Sequence, residues 1–333
     1  MTIETDISTP AIEVFNLTKT FGKGDKKVEA VKDVSLAIKK GEIFGFLGPN
    51  GAGKTTSLRM IVGLLQPNSG EVKICGMNPS NRKHKSKIKR KLGIIPQEIS
   101  LYEELTVEEN LWFMAHCYRM SKQEAKPRID GLIAKVGLED KRKALVKNLS
   151  GGLKRRANLI MGLVHDPEIV LCDEPTPGLD PQSRVVVWEF IKNLPSEGKT
   201  VLLTTHFMEE ADRLSNRVAI IDNGEILVLD TPKKLKASIG EGDLVELVLS
   251  VKEDIHLQKI AESLKKMNDG KTTIEDVFQS GTSLIVRSKD VISKLSRILN
   301  YIEEMGVEVE NMSIRNTTLE DVFIHLTGRA LRN

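Results

Sequence analysis

Apolar residues recur along this chain with two periods. Near the start they alternate. Ile12 and Val14, then Val28 and Ala30, then Val34, Leu36 and Ile38 follow a period of two, which predicts antiparallel-type strands over 11–17 and 28–38. The turn-forming run Phe21-Gly22-Lys23-Gly24-Asp25-Lys26-Lys27 separates them. Short continuous apolar runs follow at 43–47, 92–96, 169–172 and 200–205, as expected of strands buried on both faces. Between and after them a helical spacing predicts helices over 55–65, 106–120, 121–136, 150–165, 181–194 and 207–214. Two of these starts carry a capping box, Thr106 with Glu109 and Ser121 with Glu124. A hairpin is expected over 217–229 around Asn223-Gly224. Strands alternating with helices predict an α/β fold. Its parts are a parallel-sheet core, an antiparallel β-subdomain in front of it and an α-helical subdomain over about 100–165.

Residues 241–333 read differently. Strand 244–251, helix 255–267, strands 272–278 and 283–287, helix 291–305 and strand 307–314 give the order βαββαβ, which predicts a small ferredoxin-like α+β domain. The expected domains are therefore 11–236 and 241–333. A near-repeat tests the reading. Thr272-Thr-Ile-Glu-Asp-Val-Phe278 runs into a turn and is expected as a strand, whereas Thr317-Thr-Leu-Glu-Asp-Val-Phe323 opens the terminal helix.

Composition narrows the partners. The 333 residues carry 49 basic and 46 acidic side chains, a net charge of +3 too balanced to call for a nucleic acid. No apolar run approaches the ~20 residues that span a bilayer, and MTIETDISTP lacks the basic and apolar regions of a signal peptide. A cytosolic protein with reduced cysteines is expected; Cys75, Cys117 and Cys172 show no metal-binding spacing. One local excess stands out, Arg82-Lys-His-Lys-Ser-Lys-Ile-Lys-Arg-Lys91. It reads as a solvated helix face or as a contact with anionic lipid headgroups.

The chemistry centres on Gly48-Pro49-Asn50-Gly51-Ala52-Gly53-Lys54-Thr55-Thr56, which lies between a buried strand and a helix. That is the context of a phosphate-binding loop. Its backbone N–H groups and the following helix N-terminus can surround a phosphate. Lys54 can reach the β- and γ-phosphates, and Thr55 can offer its hydroxyl to Mg²⁺. Asp173 ends a buried strand and fits a Mg²⁺ ligand; Glu174 beside it fits a group that polarises an attacking water. Gln97 and His206 end two further strands at the same edge, where α/β folds bind ligands. Gln97 can touch Mg²⁺ or the water, and His206 can donate to the γ-phosphate or serve structure alone. Phe21 offers either an aromatic shelf or a core side chain.

Together these motifs resemble the ATP-binding cassette (ABC) family over residues 11–235. Walker A (Gly48–Thr56), the Q-loop Gln97, the signature Leu149-Ser150-Gly151-Gly152, Walker B ending in Asp173 with Glu174, the D-loop Gly178-Leu179-Asp180 and the switch His206 occur in family order. The resemblance implies ATP and Mg²⁺ as cofactors and an adenine-stacking role for Phe21. It implies a head-to-tail dimer in which Ser150, Gly151 and Gly152 of one cassette close over ATP held by the other. Two departures stand out, Leu153 where the family usually has Gln and Pro177 where a small polar residue is common. The segment from Thr318 to Arg329 further resembles the tail of ABC-2-type exporter ATPases of the daunorubicin-resistance-like group. That implies the ATPase subunit of an exporter, peripheral at the cytoplasmic face of the membrane and paired with a separate transmembrane permease. A ribosome-acting or DNA-repair ATPase fits less well. The chain holds one cassette rather than two, and Lys54 lies too near Asp173 in sequence for a long coiled coil. The C-terminal domain is open to two readings, a ligand sensor or a dimer brace.

Overall fold

The computed structural model describes residues 10–22, 24–239, 243–250, 254–266, 274, 276–280, 283–288 and 291–328. In order, the first part contains β1 (Ile12–Phe21), β2 (Val28–Ile38), β3 (Ile43–Leu47), α1 (Lys54–Ile61), β4 (Ser69–Ile74), α2 (Lys85–Lys91), β5 (Leu92–Ile95), α3 (Val107–Cys117) and α4 (Lys122–Lys135). It continues with α5 (Gly151–Met161), β6 (Ile169–Asp173), α6 (Pro181–Asn193), β7 (Thr200–Thr205), α7 (Met208–Leu214), β8 (Arg217–Asp222) and β9 (Glu225–Asp230). Then come α8 (Pro232–Ser238), β10 (Asp243–Leu249), α9 (Asp254–Lys266), β11 (Asp276–Ser280), β12 (Ser283–Ser288), α10 (Val291–Glu304), β13 (Val309–Arg315) and α11 (Leu319–Thr327).

The central sheet runs β5-β6-β7-β3-β8-β9, with β5, β6, β7, β3 and β8 mutually parallel. Every residue of β3, β6 and β7 is buried. Alternate side chains therefore feed two cores. Phe44, Phe46, Leu171 and Leu202 meet α1 and the antiparallel sheet β2-β1-β4. Ile43, Val170, Cys172, Val201 and Leu203 meet the apolar faces of α5 and α6, and the same core continues through α3 and α4. Both capping boxes form, on Thr106 and Ser121.

Several boundaries differ from the pattern reading, and three have a plain local reason. β1 reaches Phe21 because Lys19, Thr20 and Phe21 pair with Val31, Glu29 and Val28 after register shifts that hide the period of two. α1 stops at Ile61, where the N–H groups of Leu64 and Leu65 both return to the Arg59 carbonyl. The chain divides into compact units between Leu229 and Asp230, because α8, assigned from sequence to the first domain, packs on α11.

In the second unit β10, β11, β12 and β13 form an antiparallel sheet of order β11-β12-β10-β13. Its core includes Val245, Leu247, Leu257, Val286 and Ile298. Arg315 makes a two-pronged bond to Asp321, which also caps α11 through Thr318. Of the near-repeat, Asp276-Val277-Phe278 lies in β11 while Asp321-Val322-Phe323 lies in α11; Thr272, Thr273 and Glu275 fall outside the described residues.

Candidate active site

Close packing builds the phosphate loop. A Cβ on Gly48 would sit 2.2 Å from the Ile221 carbonyl oxygen, and one on Gly53 would sit 2.3 Å from that of Ala30. Gly53 also holds φ at 100°, so both positions exclude side chains and let the backbone curve tightly. Lys54 then enters α1 almost wholly buried. Its Nζ donates to the carbonyls of Gly48 (2.7 Å) and Pro49 (3.0 Å) and lies 3.3 Å from Glu174 Oε1. Burial lowers the Lys54 pKa, while the charges of Glu174 and Asp173 pull it back up.

Thr55 on α1 and the ends of three strands, β5, β6 and β7, supply the rest. Thr55 Oγ1 donates to Asp173 Oδ1 at 3.3 Å, and Thr204 Oγ1 donates to the same oxygen. Glu174 is the hub. Oε1 faces Lys54, and Oε2 accepts from Gln97 Nε2 at 3.3 Å and lies 3.2 Å from His206 Nδ1. Its backbone sits at φ 45°, uncommon for a residue with a side chain. Bonds on both sides hold it there: its N–H donates to the Thr204 carbonyl, and its own carbonyl accepts from Arg155 Nη2. The candidates Lys54, Thr55, Gln97, Asp173, Glu174 and His206 thus form one connected network.

Phe21 is exposed at the end of β1, with Lys19 Nζ 5.4 Å from its ring centre. It pairs with Val28, two residues before the Ala30 carbonyl that abuts Gly53, so its strand backs the loop. Ser150 caps α5 through the Leu153 N–H, followed by Gly151 and Gly152. Among the described residues, no hydrogen bond or ion pair joins these three to the phosphate loop. Leu153 packs into the core that also holds Leu179, an apolar role that accounts for its departure from Gln.

Two residues escaped the sequence reading. Arg155 on α5 is buried and, among the described residues, hydrogen-bonds no carboxylate. Its guanidinium donates to four carbonyls, Pro96 (2.8 Å), Gln97 (2.8 Å), Glu174 (2.7 Å) and Pro175 (2.6 Å). It ties the signature helix to the peptides on either side of the hub. Glu210 on α7 is fully buried, and its Oε1 accepts from Thr176 Oγ1 at 2.8 Å and Trp188 Nε1 at 2.9 Å. Burial raises its pKa. A signal for both was present. Arg155 stands four residues before Leu159, and Glu210 four before Leu214, on the apolar faces of their helices.

The sequence profile of the family described as ABC transporter matches residues 31–177, the span from β2 to the D-loop. The linearmycin resistance ATP-binding protein LnrL of Bacillus subtilis (strain 168) is 38% identical over 323 residues, which cover 97% of this chain and all of that protein. The chain belongs to the ABC transporter family. Two further ABC relatives align over nearly their full lengths. The Nod factor export ATP-binding protein I of Ralstonia nicotianae is 35% identical, covering 98% of this chain and 96% of its own. The daunorubicin resistance ATP-binding protein DrrA3 of Streptomyces coeruleorubidus is 34% identical, covering 96% of each. A solved dimeric post-hydrolysis state of the ATP-binding cassette MJ0796, bound to ADP and Pi, matches with a TM-score of 0.60 at 32% identity. It covers 66% of this chain and 98% of that cassette. The fold is that of an ABC cassette, and the protein is an ABC ATPase. Among the described residues, no helix is long and apolar enough to cross a membrane.

Proposed function

We propose that this ABC ATPase is the nucleotide-binding subunit of an exporter. It closes as a homodimer on ATP and drives a separate transmembrane permease from the cytoplasmic face of the membrane. The observation that carries the reading is the Glu174 hub, which joins Lys54, Gln97 and His206 on one carboxylate. The relatives' names support export, and the dimeric cassette supports pairing.

In this reading Gly48–Thr56 wrap the phosphates, and Phe21 stacks on the adenine. Thr55, Asp173 and Gln97 would hold Mg²⁺; the hydroxyl, carboxylate and amide are hard oxygen donors that suit it. When bound, Mg²⁺ neutralises charge shared by the β- and γ-phosphates. Lys54 turns from Glu174 to the phosphates, which frees the carboxylate to orient and deprotonate a water. His206 donates to the γ-phosphate. Ser150, Gly151 and Gly152, at the N-terminal end of α5, face the nucleotide of the second cassette. The second unit's βαββαβ order and strand arrangement support a ferredoxin-like accessory domain with its own core. Nothing in the charge balance calls for a nucleic acid.

Light scattering on the Glu174→Gln protein tests the pairing. The mass is expected to double with Mg-ATP and to return to that of a monomer without it. A monomer in both conditions would remove the self-sufficient homodimer. Phe21→Ala is expected to weaken ATP binding about 5–10-fold, since one aromatic stack is worth ~1–1.5 kcal/mol. Fluorescent-nucleotide titration reads this; unchanged affinity would return Phe21 to a structural role.

A further inference from the structure

The basic run lines a cavity. Two clefts adjoin between α2 and the region where α3 passes into α4. One, of about 730 Å³, has Arg82, Lys85, Lys89, Arg90 and Arg119 in its lining. The other, of about 560 Å³, shares Arg90, Tyr118 and Arg119 with it and adds Arg128. Six cations thus face two acids, Glu124 and Asp166, so the clefts hold more net positive charge than the whole chain's +3. Both acids are already engaged. Glu124 caps Ser121, and Asp166 pairs with Arg128 and Lys199. Among the described residues, Arg82, Lys85, Lys89, Arg90 and Arg119 make no ion pair.

Neighbouring cations behave differently. Lys91 pairs with Glu168, Arg142 with Glu108 and Asp130, Lys147 with Glu104, and Lys154 with Glu103. Like charges gathered along one concave surface repel one another and concentrate their field on whatever anion enters. The floor is preformed: the Tyr118 and His165 rings stack flat, 3.6 Å apart, and His165 Nε2 is 2.9 Å from the Leu92 carbonyl. Arg128 also presents a buried Nε with no partner.

We propose that the joined cleft is a binding site for a ligand bearing clustered phosphate groups. Four of the six cations are arginines, whose planar forks match phosphate oxygens in pairs. The concave shape admits a headgroup or a short polyphosphate. The phosphates can belong to a phospholipid headgroup or to a soluble ligand, and the test separates the two.

With Mg-ADP saturating the phosphate loop, the full chain is titrated with inorganic tripolyphosphate. Separately, it is sedimented with phosphatidylcholine vesicles with and without cardiolipin. Binding to tripolyphosphate assigns a soluble source; binding only to cardiolipin vesicles assigns a lipid source. In either case R82Q/R90Q/R119Q is expected to weaken binding at least ~10-fold, and Arg90→Gln alone about threefold. K83Q/K87Q, at exposed lysines outside both clefts, is expected to change it less than about twofold. None of these positions touches the Glu174 network, so ATP turnover is expected to stay at the wild-type value. Absence of binding to both probes, or equal weakening by the two sets of substitutions, would overturn the site.

Discussion

Glu174→Gln is expected to lower kcat for ATP hydrolysis by about 10²–10⁴-fold, the range for loss of a positioned general base. The amide keeps the shape and can still meet Gln97 and His206 across the 3.2–3.3 Å contacts of the carboxylate. It cannot accept the water's proton. ATP binding is expected to hold or tighten. Lys54, which is buried and faces Glu174 at 3.3 Å, loses its charged partner and has more to gain from the phosphates. Steady-state turnover and nucleotide titration read the two effects separately. A loss of less than about tenfold in kcat would remove Glu174 from the role of base.

Arg155→Met is expected to cost about 3–5 kcal/mol of stability, because it strands four carbonyls that one guanidinium now satisfies. Calorimetry should show the first unit's transition fall by about 10 °C. Arg155→Lys keeps the charge and loses the fork, so part of the loss should return. The kinetic outcome separates a positioning role from a structural one. Below the new transition, kcat is expected to fall with KM for ATP little changed, since Arg155 bonds the backbone of Gln97 and Glu174 but not the phosphate loop. A fall in stability with normal kcat would confine it to structure.

Much of this site could be read before the fold was seen. Strands buried on both faces leave unbroken apolar runs, and a residue that ends such a run sits at a ligand-binding edge; Asp173, Gln97 and His206 were found that way. The phosphate loop was legible because its glycines are required sterically, as Gly48 and Gly53 show. Legibility failed where a side chain answers to tertiary partners. Arg155 and Glu210 stand on the apolar faces of their helices, which marks them as buried, but what each holds is set by the carbonyls and hydroxyls around it. Bulges broke the alternation in β1, and α8 carries no sign of which unit it joins. The near-repeat shows the rule from the other side. Asp-Val-Phe is strand in β11, paired to β12, and helix in α11, where Thr318 and Asp321 cap the start.

Glu210 also gives the molecule an optical handle. Of the two tryptophans, Trp188 is buried, its indole N–H is held by the carboxylate that also holds Thr176, and the Arg213 guanidinium lies 5.2 Å from its ring centre. Thr176 stands just before the D-loop, so displacement of that loop changes the field on the indole. With Trp112 replaced by Phe, emission from the remaining indole would follow the D-loop through each turnover without an added dye. The second unit has no tryptophan and would stay dark throughout.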